Sequence, residues 1–386
     1  MEKTILPGSA IGILGGGQLG RMTAIEGRKM GYRIFCLDPT PGCPCSQVAD
    51  GQIVAGLDDV EAAVRLAKRV DVMIYEFENI DVRVVEELEK HYHLPQKSRP
   101  LAVAQNRILE KQQLRQGGFP VAQFFRVTNP EELTAGLAEI GYPGVLKTVK
   151  GGYDGKGQLV INNPQELNKA CELVSAGDNE WILEKMISFT CEISVIVART
   201  GTGEMAVYPV AENIHRENIL HMTVVPARIS PQEEASAIEI AREVANFLQI
   251  VGVLAVEFFV TPQGLVVNEI APRPHNSGHY TLDACYTSQF EQLIRAVCGL
   301  PLGSTQLMTP AVMINILGRD LPRVLALLPG FPGHVKIHLY GKVGNPAPKR
   351  KMGHLLIKAG GSQEIDETIR EFEDKWYFSC QAKEEA

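Results

Sequence analysis

Two apolar runs joined by a short turn, each with one glutamate in it, constrain the fold more than any other part of the sequence. The runs 253–260 and 265–270 are apolar apart from Glu257, Asn268 and Glu269. Short apolar runs separated by a turn that contains proline and glycine predict an antiparallel β-hairpin. The chain therefore contains antiparallel sheet, and two carboxylates lie on it.

The turn decides which residues of the hairpin face each other. Pro262 suits the first turn position and Gly264 suits a left-handed position. We therefore predict a three-residue loop with a glycine bulge, in which Thr261 pairs with Leu265. Counting back along both strands places the two glutamates directly opposite each other.

Opposed glutamates on an apolar hairpin need an explanation. Like charges that face each other destabilise a sheet, and burying them costs more. A bound divalent cation removes both costs, and ligands that are all oxygen indicate Mg²⁺ or Mn²⁺ shared with phosphates. The alternative is a slipped register that leaves one glutamate on a solvated face.

The residues after the second glutamate are unusually polar for the end of a buried strand. Between positions 268 and 279 the chain carries a carboxylate, two amides, a guanidinium, two imidazoles and a hydroxyl. Polar groups crowded at such a point are expected to bind something.

The first 100 residues alternate between short strands and helices, which predicts a parallel sheet. Gly15, Gly17 and Gly20 fit G-x-G-x-x-G between a strand and a helix, and Asp38 lies near the usual ribose acid of a dinucleotide fold. Three interpretations stay open: an NAD site, a turn that needs glycine only for packing, and a substrate anion or polar group near the helix N-terminus. A second helix is predicted to begin near Asp58 with a capping box.

A glycine-rich loop occupies residues 150–158, between the apolar runs 144–149 and 159–161. Such a loop can lie across a polyphosphate and donate backbone N–H groups to it. It is not a Walker A loop, because no G-x-x-x-x-G-K-[ST] register fits and a strand follows it. The alternative is a flexible hairpin. Further helices are predicted over 101–115 and 282–298, and short strands with one helix over the last 80 residues.

The length and charge of the chain limit the classes of function. A chain of 386 residues predicts two or three domains. The net charge of −7 argues against binding nucleic acid through bulk electrostatics. No apolar run reaches the roughly 18 residues of a membrane span, and we see no signal-peptide pattern. We expect reduced structural cysteines, no membrane partner and a cytoplasmic protein.

Together these motifs resemble the 5-(carboxyamino)imidazole ribonucleotide synthase family of the ATP-grasp superfamily, the ATPase subunit of phosphoribosylaminoimidazole carboxylase. The resemblance extends over essentially the whole chain. The segments that carry it, in order, are 16–22, 75–79, 151–157, 268–279 and 340–342.

The resemblance implies a multidomain α/β and α+β protein with an ATP-grasp fold. It implies a Rossmann-like pre-ATP-grasp domain over 1–105, an ATP-grasp domain over 106–305 with a lid at about 121–190, and a small β-rich substrate-capping domain over 306–386. It also implies ATP as a substrate, Mg²⁺ or Mn²⁺, and a homodimer. The implied reaction phosphorylates bicarbonate to carboxyphosphate and then carboxylates the amine of aminoimidazole ribonucleotide.

The family pattern also implies roles for individual residues. Metal ligands are Glu257 and Glu269. ATP-binding residues are Arg107, Lys147, Gly152, Tyr153, Asp154, Gly155, Lys156, Gly157, Gln158, Glu184, Lys185, Met186, Ile187, Glu192, His215, Asn268 and Glu269. Residues that bind the ribonucleotide are Gln18, Glu76, Tyr153, Asp154, Lys342, Arg350 and Lys351. Catalytic residues are Asp154, Arg273, His275, Asn276, Ser277 and Lys342, of which 273 and 275–277 cradle bicarbonate and carboxyphosphate.

Three other functions remain open from the sequence. A formate-dependent glycinamide ribonucleotide transformylase shares the metal hairpin and the lid. An NAD-linked oxidoreductase would use the N-terminal glycines instead. A non-catalytic nucleotide-binding module would bind ATP without turning it over.

Overall fold

The computed structural model describes residues 3–151, 157–176, 180–361 and 364–372. The strands are β1 (Ala10–Leu14), β2 (Arg33–Asp38), β3 (Gly51–Val54), β4 (Val72–Tyr75), β5 (Phe124–Val127), β6 (Gly144–Thr148), β7 (Gln158–Ile161), β8 (Trp181–Lys185), β9 (Cys191–Arg199), β10 (Met205–Val207), β11 (Ala211–Arg216), β12 (Ile219–Val225), β13 (Gly252–Thr261), β14 (Gly264–Ala271), β15 (Ala311–Leu317), β16 (Val335–Leu339) and β17 (Lys351–Lys358). The helices are α1 (Gln18–Lys29), α2 (Val60–Ala67), α3 (Val82–His91), α4 (Ser98–Ala104), α5 (Arg107–Gln116), α6 (Pro130–Ile140), α7 (Leu167–Ser175), α8 (Pro231–Phe247), α9 (Thr281–Ala284), α10 (Gln289–Val297), α11 (Leu321–Leu327) and α12 (Ile365–Phe372).

The N-terminal region is a parallel sheet, as its alternating pattern predicts. Four strands lie in the order β3-β2-β1-β4, and every pair is parallel. The strand β3 was not predicted, because its residues are only half-buried and carry little apolar pattern. The helix predicted near Asp58 begins at Val60 instead, since the side chain of Asp59 accepts from the N–H of Ala62 and caps it.

Residues of the predicted lid form a small antiparallel sheet of their own. Its order is β5-β8-β6-β7, and helices α6 and α7 pack against it through apolar side chains that include Leu137, Leu146 and Trp181. This sheet stands beside the larger one and faces it across a cleft.

The main sheet has nine strands, in the order β14-β13-β9-β11-β12-β15-β17-β16, with β10 paired to β9. Helix α8 packs on one face of β9, β13 and β14, while α10 and the first sheet share a core with the other face. The C-terminal strands join through the antiparallel pair of β12 and β15. The β-rich C-terminal residues therefore extend the sheet that carries the two glutamates.

The predicted pairing of Glu257 with Glu269 is confirmed, but the predicted turn is wrong. Thr261 pairs with Gly264 across a two-residue loop, and a β-bulge lies further along the hairpin instead. Phe258 pairs with Val267 while Glu257 pairs with Glu269, so Asn268 is the extra residue. The shorter loop and the bulge each shift the register by one residue in opposite directions, so the glutamates still face each other.

Two helix predictions are also corrected, because side-chain caps divide the predicted runs. The run 101–115 breaks into α4 and α5 at Asn106, whose side chain accepts from Ile108 and Leu109. The run 282–298 breaks into α9 and α10, where Ser288 caps the second helix. The C-terminal residues contain α11 and α12 where one helix was expected. None of the described helices combines the length and the apolar character needed to span a membrane.

Candidate active site

A cleft of about 1070 Å³ lies where the N-terminal sheet, the small sheet and the main sheet meet. Most of the predicted site residues line it: Gln18, Glu76, Arg107, Lys147, Gly157, Gln158, Glu184, Lys185, Met186, Ile187, Glu192, His215, Glu257, Asn268, Glu269, Arg273, His275, Asn276, Lys342, Arg350 and Lys351. The predicted residues Gly152, Tyr153, Asp154, Gly155 and Lys156 lie outside the described residues.

The two hairpin glutamates and a histidine bring their ligand atoms close together, as a candidate cation site requires. Ligand atoms of Glu257, Glu269 and His275 all lie within 4.8 Å of one another. His275 Nε2 is 3.4 Å from a Glu257 carboxylate oxygen. Burial raises the pKa of Glu257, and the facing Glu269 raises it further. A divalent cation fits this donor set because it would relieve the repulsion between the carboxylates.

A buried ion pair lies on the small sheet at the edge of the cleft. Lys147 Nζ on β6 is 2.8 Å from Glu184 Oε2 on the neighbouring strand β8, and the register pairs the two strands here. Burial alone would raise the pKa of Glu184, but Lys111 and Lys147 more than offset it and lower the pKa to about 2. Glu184 is therefore a fixed anion that holds the lysine in position.

The main sheet adds a second pair at the cleft. His215 Nδ1 on β11 is 3.1 Å from Glu192 Oε1 on β9. Burial lowers the pKa of His215, yet the Glu192 carboxylate outweighs it, so the pKa is raised. Both residues were predicted as ATP ligands, and the structure brings them into direct contact.

Part of the cleft wall is apolar, and we call it the apolar slot. Met186, Phe189 and Phe259 line it, and the two phenylalanine rings stack with centroids 4.7 Å apart. The N–H groups of Lys185 and Met186 already donate to the carbonyls of Gln123 and Pro143, so in this structure they are not free to donate to a base.

Arg273 reaches across the cleft to a residue that the sequence did not single out. Its guanidinium makes a two-pronged ion pair with Glu78, with Nη2 2.7 Å from Oε1. Burial would raise the pKa of Glu78, but Arg273 lowers it overall. Glu78 follows β4 and lies two residues after Glu76, in the segment 75–79 that resembles the family. That position was the only feature of the sequence that could have identified Glu78 as a site residue.

Two neighbours of Arg273 differ in their access to the cleft. Asn276 lines the cleft and is 8% exposed, and neither amide atom of its side chain has a partner among the described residues. Ser277 is fully buried and does not line the cleft. Its hydroxyl lies 2.8 Å from Ser194 Oγ and 2.9 Å from His275 Nδ1. In this structure the Ser277 hydroxyl contacts His275, and its predicted contact with bicarbonate stays a prediction.

The N-terminal glycines surround a carboxylate of the protein itself. Gly17 and Gly20 donate their N–H groups to the buried Glu76. A Cβ at Gly15 would lie 2.7 Å from Glu76 Cγ, which explains the glycine there. Burial raises the pKa of Glu76 to about 7, against the lowering effect of these N–H groups. Because Asp38 also accepts from Gly16 at 2.8 Å, the N–H groups of Gly16, Gly17 and Gly20 are bonded to carboxylates of the protein rather than available to a dinucleotide phosphate.

Basic side chains lie at the C-terminal end of the cleft. Lys342, Arg350 and Lys351 all line it. Arg350 Nη1 donates to the Val343 carbonyl at 3.0 Å, and Lys342 Nζ lies 5.5 Å from the centre of the Tyr340 ring. This end of the cleft therefore suits an anionic ligand.

Comparison with known proteins identifies the family. The ATP-grasp domain profile matches residues 112–290, the ribonucleotide synthetase preATP-grasp domain matches 9–105, and the phosphoribosylaminoimidazole carboxylase C-terminal domain matches 311–368. The chain is 46% identical over 376 residues to N5-carboxyaminoimidazole ribonucleotide synthase of Bacillus subtilis, and the match covers 97% of each protein. The chain belongs to the N5-carboxyaminoimidazole ribonucleotide synthase family.

Solved structures of this family superpose closely on the chain. The ADP complex of the Staphylococcus aureus N5-carboxyaminoimidazole synthetase has a TM-score of 0.92 at 38% identity, covering 97% of this chain and 99% of that one. The Aspergillus clavatus synthase in complex with ADP and 5-aminoimidazole ribonucleotide has a TM-score of 0.87 at 31% identity, covering 95% and 98%. The family resemblance and the predicted fold class are thereby confirmed.

Proposed function

We propose that this chain catalyses the reaction of its family, the ATP-dependent carboxylation of 5-aminoimidazole ribonucleotide in de novo purine biosynthesis. Bicarbonate supplies the carboxyl group, and the products are 5-carboxyaminoimidazole ribonucleotide, ADP and phosphate. The observation that carries the proposal is one cleft that joins a facing carboxylate pair, buried ion pairs and a basic end. Similarity over the whole chain to a relative bound to ADP and the ribonucleotide supports it.

The reaction joins two anions, bicarbonate and the γ-phosphate of ATP. The basic residues and the proposed cation site of the cleft would reduce the repulsion between them. A bicarbonate oxygen attacks the γ-phosphorus of ATP, the bond to ADP breaks, and carboxyphosphate forms. The carboxyl carbon then bonds to the amine of the ribonucleotide, phosphate leaves and the amine loses a proton. Positioning and neutralisation of charge supply much of the rate in such transfers.

The nucleotide lies between the small sheet and the main sheet in this proposal. Lys147, His215 and Arg107 contact phosphates, together with the loop that ends at Gly157 and Gln158. The apolar slot beside Met186 receives adenine, and Glu192 receives the ribose. The residues 152–156 of the same loop are proposed as a cover that excludes water from carboxyphosphate.

Mg²⁺ or Mn²⁺ is proposed between Glu257 and Glu269, with Asn268 beside them. When bound there, the ion would neutralise the negative charge that develops on the phosphates. The facing of the two carboxylates supports this assignment, because burial and Glu269 raise the pKa of Glu257 and a cation would relieve the repulsion. His275 Nε2 lies close enough to the pair to orient Glu257.

Bicarbonate is proposed to bind beside Arg273 and Asn276, with His275 next to them and Ser277 acting through His275. The unpartnered amide of Asn276 supports this assignment, since a buried polar group without a partner is costly and suits a small polar ligand. Lys342, Arg350 and Lys351 contact the ribonucleotide phosphate. Gln18 and Glu76 approach its amine from the N-terminal sheet, while Asp154 anchors the cover or acts as a base.

Steady-state release of ADP tests the function. Purified protein is mixed with Mg·ATP and bicarbonate, with or without aminoimidazole ribonucleotide. We expect release that depends on the ribonucleotide. Release that instead depends on formate and glycinamide ribonucleotide would assign the chain to the transformylase reaction. ATP binding with no release under either condition would support a non-catalytic nucleotide-binding module.

Three broader expectations belong to the same proposal. The chain forms a homodimer, acts in the cytoplasm and divides into domains at about residues 105 and 305. Sedimentation equilibrium gives the mass of the assembly, against 42.3 kDa for one chain. Limited proteolysis gives the boundaries, because cleavage concentrates where few contacts cross.

A further inference from the structure

The strand β14, which carries Glu269, is the last strand of the main sheet. Among the described strands it pairs only with β13, so one of its edges has no strand partner along most of its length. The connection before β5 covers part of this edge, since the N–H of Val267 donates to the Pro120 carbonyl at 2.7 Å. The rest of the edge would leave backbone polar groups unsatisfied without other partners.

Two charged side chains of α5 bond to this edge on both sides of Glu269. Lys111 Nζ donates to the carbonyls of Val267, at 3.3 Å, and Asn268. The Glu110 carboxylate accepts from the N–H of Ile270 at 2.6 Å. The bonded positions 267, 268 and 270 therefore enclose the β-bulge and Glu269.

Covering a strand edge does not require charged side chains, and burying them costs free energy. Glu110 and Lys111 are each 2% exposed, and charged side chains are rarely buried so completely. An uncharged side chain or another segment of backbone can satisfy a strand edge at lower cost. Two adjacent charged side chains on one helix instead hold the backbone at three points. Lys111 donates hydrogen bonds to two carbonyls, and Glu110 accepts one from an N–H group.

The same helix also reaches the glutamate side chain itself. Arg107, one turn before Lys111 on α5, places its Nη1 3.5 Å from Glu269 Oε2. The N–H of Arg107 is in turn bonded to the Val149 carbonyl at the base of the glycine-rich loop. Helix α5 therefore connects the metal-bearing bulge to the segment that leads into the proposed phosphate loop.

We propose that Glu110 and Lys111 are positioning residues that hold the bulge of β14 so that Glu269 and Asn268 face Glu257 and the metal–nucleotide complex. This inference rests on the proposed function of the same cleft. Both residues line the cleft, but no ligand contact is proposed for either, and their hydrogen bonds go to the backbone of β14. Loosening the bulge should weaken metal binding without removing any of the residues proposed to contact the ribonucleotide.

The test measures metal binding separately from activity. The dissociation constant of Mn²⁺ is measured by electron paramagnetic resonance with saturating ADP, for the wild type, Lys111→Met and the matched control Leu114→Ala. Leu114 is a fully buried residue of the same helix that packs in the apolar core below it. We expect Lys111→Met to weaken Mn²⁺ binding by about 10- to 100-fold, as loss of outer-shell support does elsewhere. Leu114→Ala should lower the melting temperature and leave Mn²⁺ affinity within about twofold.

A second pair of variants keeps the inference testable if Lys111→Met does not fold. Glu110→Gln retains an acceptor for the Ile270 N–H, whereas Glu110→Leu removes it. We expect Gln to retain most of the Mn²⁺ affinity and Leu to lose it, with KM for the ribonucleotide unchanged in both. Wild-type Mn²⁺ affinity in folded Lys111→Met or Glu110→Leu would overturn the inference. The function itself is judged on wild-type ADP release, so the two can fail independently.

Discussion

The pKa of Glu257 is raised because burial and the facing Glu269 carboxylate both disfavour its charged form. The hairpin itself creates this cost, since the pairing puts like charges directly opposite each other. A residue that destabilises the metal-free fold and would be relieved by a cation is typical of a binding site rather than a structural one. The free-energy cost of placing these two carboxylates opposite each other should therefore make the stability of the folded protein depend on pH.

We predict that Glu257→Gln stabilises the metal-free protein increasingly as the pH rises above about 5. In the wild type the folded state holds a proton on Glu257 that the unfolded chain releases, so stability falls as pH rises from about 4.5 towards the raised pKa. Melting temperatures measured with a chelator should agree at about pH 5, and the variant should melt about 2–4 °C higher at about pH 8. Excess Mg²⁺ should remove this advantage. Equal melting curves at both pH values would contradict the interpretation.

Glu78 is the second residue whose role is local and testable. Its carboxylate holds Arg273 by two contacts, and breaking this partly buried pair leaves the guanidinium without its partner. We predict that Glu78→Gln raises the KM for bicarbonate about 10-fold and leaves ADP affinity unchanged. The control is Glu87→Gln, because Glu87 pairs with Lys90 on the exposed side of α3. An unchanged KM for bicarbonate in Glu78→Gln would separate the Arg273–Glu78 pair from bicarbonate binding.

At the scale of elements, the loop before α1 illustrates how one motif serves different chemistry. The glycines fit a dinucleotide fingerprint, yet Glu76 and Asp38 accept hydrogen bonds from the N–H groups of Gly16, Gly17 and Gly20. An internal anion at a helix N-terminus is favoured by the same dipole that favours a bound phosphate. The motif alone does not distinguish these cases, because both need small residues at the same spacing.

We predict that NADH does not bind at the N-terminal loop. Thermal melting should show no stabilisation by NADH once the ATP site is saturated with ADP, since the N–H groups of Gly16, Gly17 and Gly20 are already bonded to Asp38 and Glu76. Saturation with ADP is the control, because NADH also contains an adenosine diphosphate group. A saturable rise in melting temperature that persists under these conditions would restore the dinucleotide hypothesis.

The hairpin β13–β14 shows a limit of prediction at this scale. Turn chemistry predicted a glycine bulge beside the loop, whereas Thr261 pairs with Gly264 and the extra residue is Asn268. Thr261 Oγ1 donates to the Gly264 carbonyl at 2.7 Å, which closes a shorter loop than the one predicted. The bulge lies where α5 bonds to the edge of β14. The extra residue therefore coincides with a contact between elements that are distant in the sequence, which turn residues do not reveal.

At the scale of the whole molecule, the cleft exists only because three regions meet. Glu76 comes from the N-terminal sheet, Lys147 from the small sheet and Lys342 from the residues beyond the ATP-grasp profile. The C-terminal strands continue the main sheet, so the basic end of the cleft is anchored to the sheet that carries the glutamates. Such an arrangement allows the two ends of the cleft to bind different ligands.

We predict that Lys342→Ala raises the KM for aminoimidazole ribonucleotide about 10-fold or more and leaves ADP affinity within twofold, because Lys342 is proposed to contact the ribonucleotide phosphate and not the nucleotide. Lys349→Ala is the control: it removes a nearby lysine whose ammonium pairs with Glu217 at 3.0 Å on the surface. Calorimetry gives the ADP affinity and initial rates give the KM. Equal effects of both variants would indicate a general loss of positive charge rather than a specific contact.

The sequence by itself determined the parallel N-terminal sheet, the facing of Glu257 and Glu269, and the family, because periodicity, turn residues and motifs are local properties of the chain. Only the tertiary structure decided the partners of those residues. Glu110 contacts the backbone of Ile270 from 160 positions away, and Glu78 contacts Arg273 from 195 positions away. Local patterns carry no information about which remote charges become neighbours, since that depends on how separate sheets and helices pack. The structure therefore supplied the residues that hold the site in place, while the sequence supplied most of the residues proposed to touch its ligands.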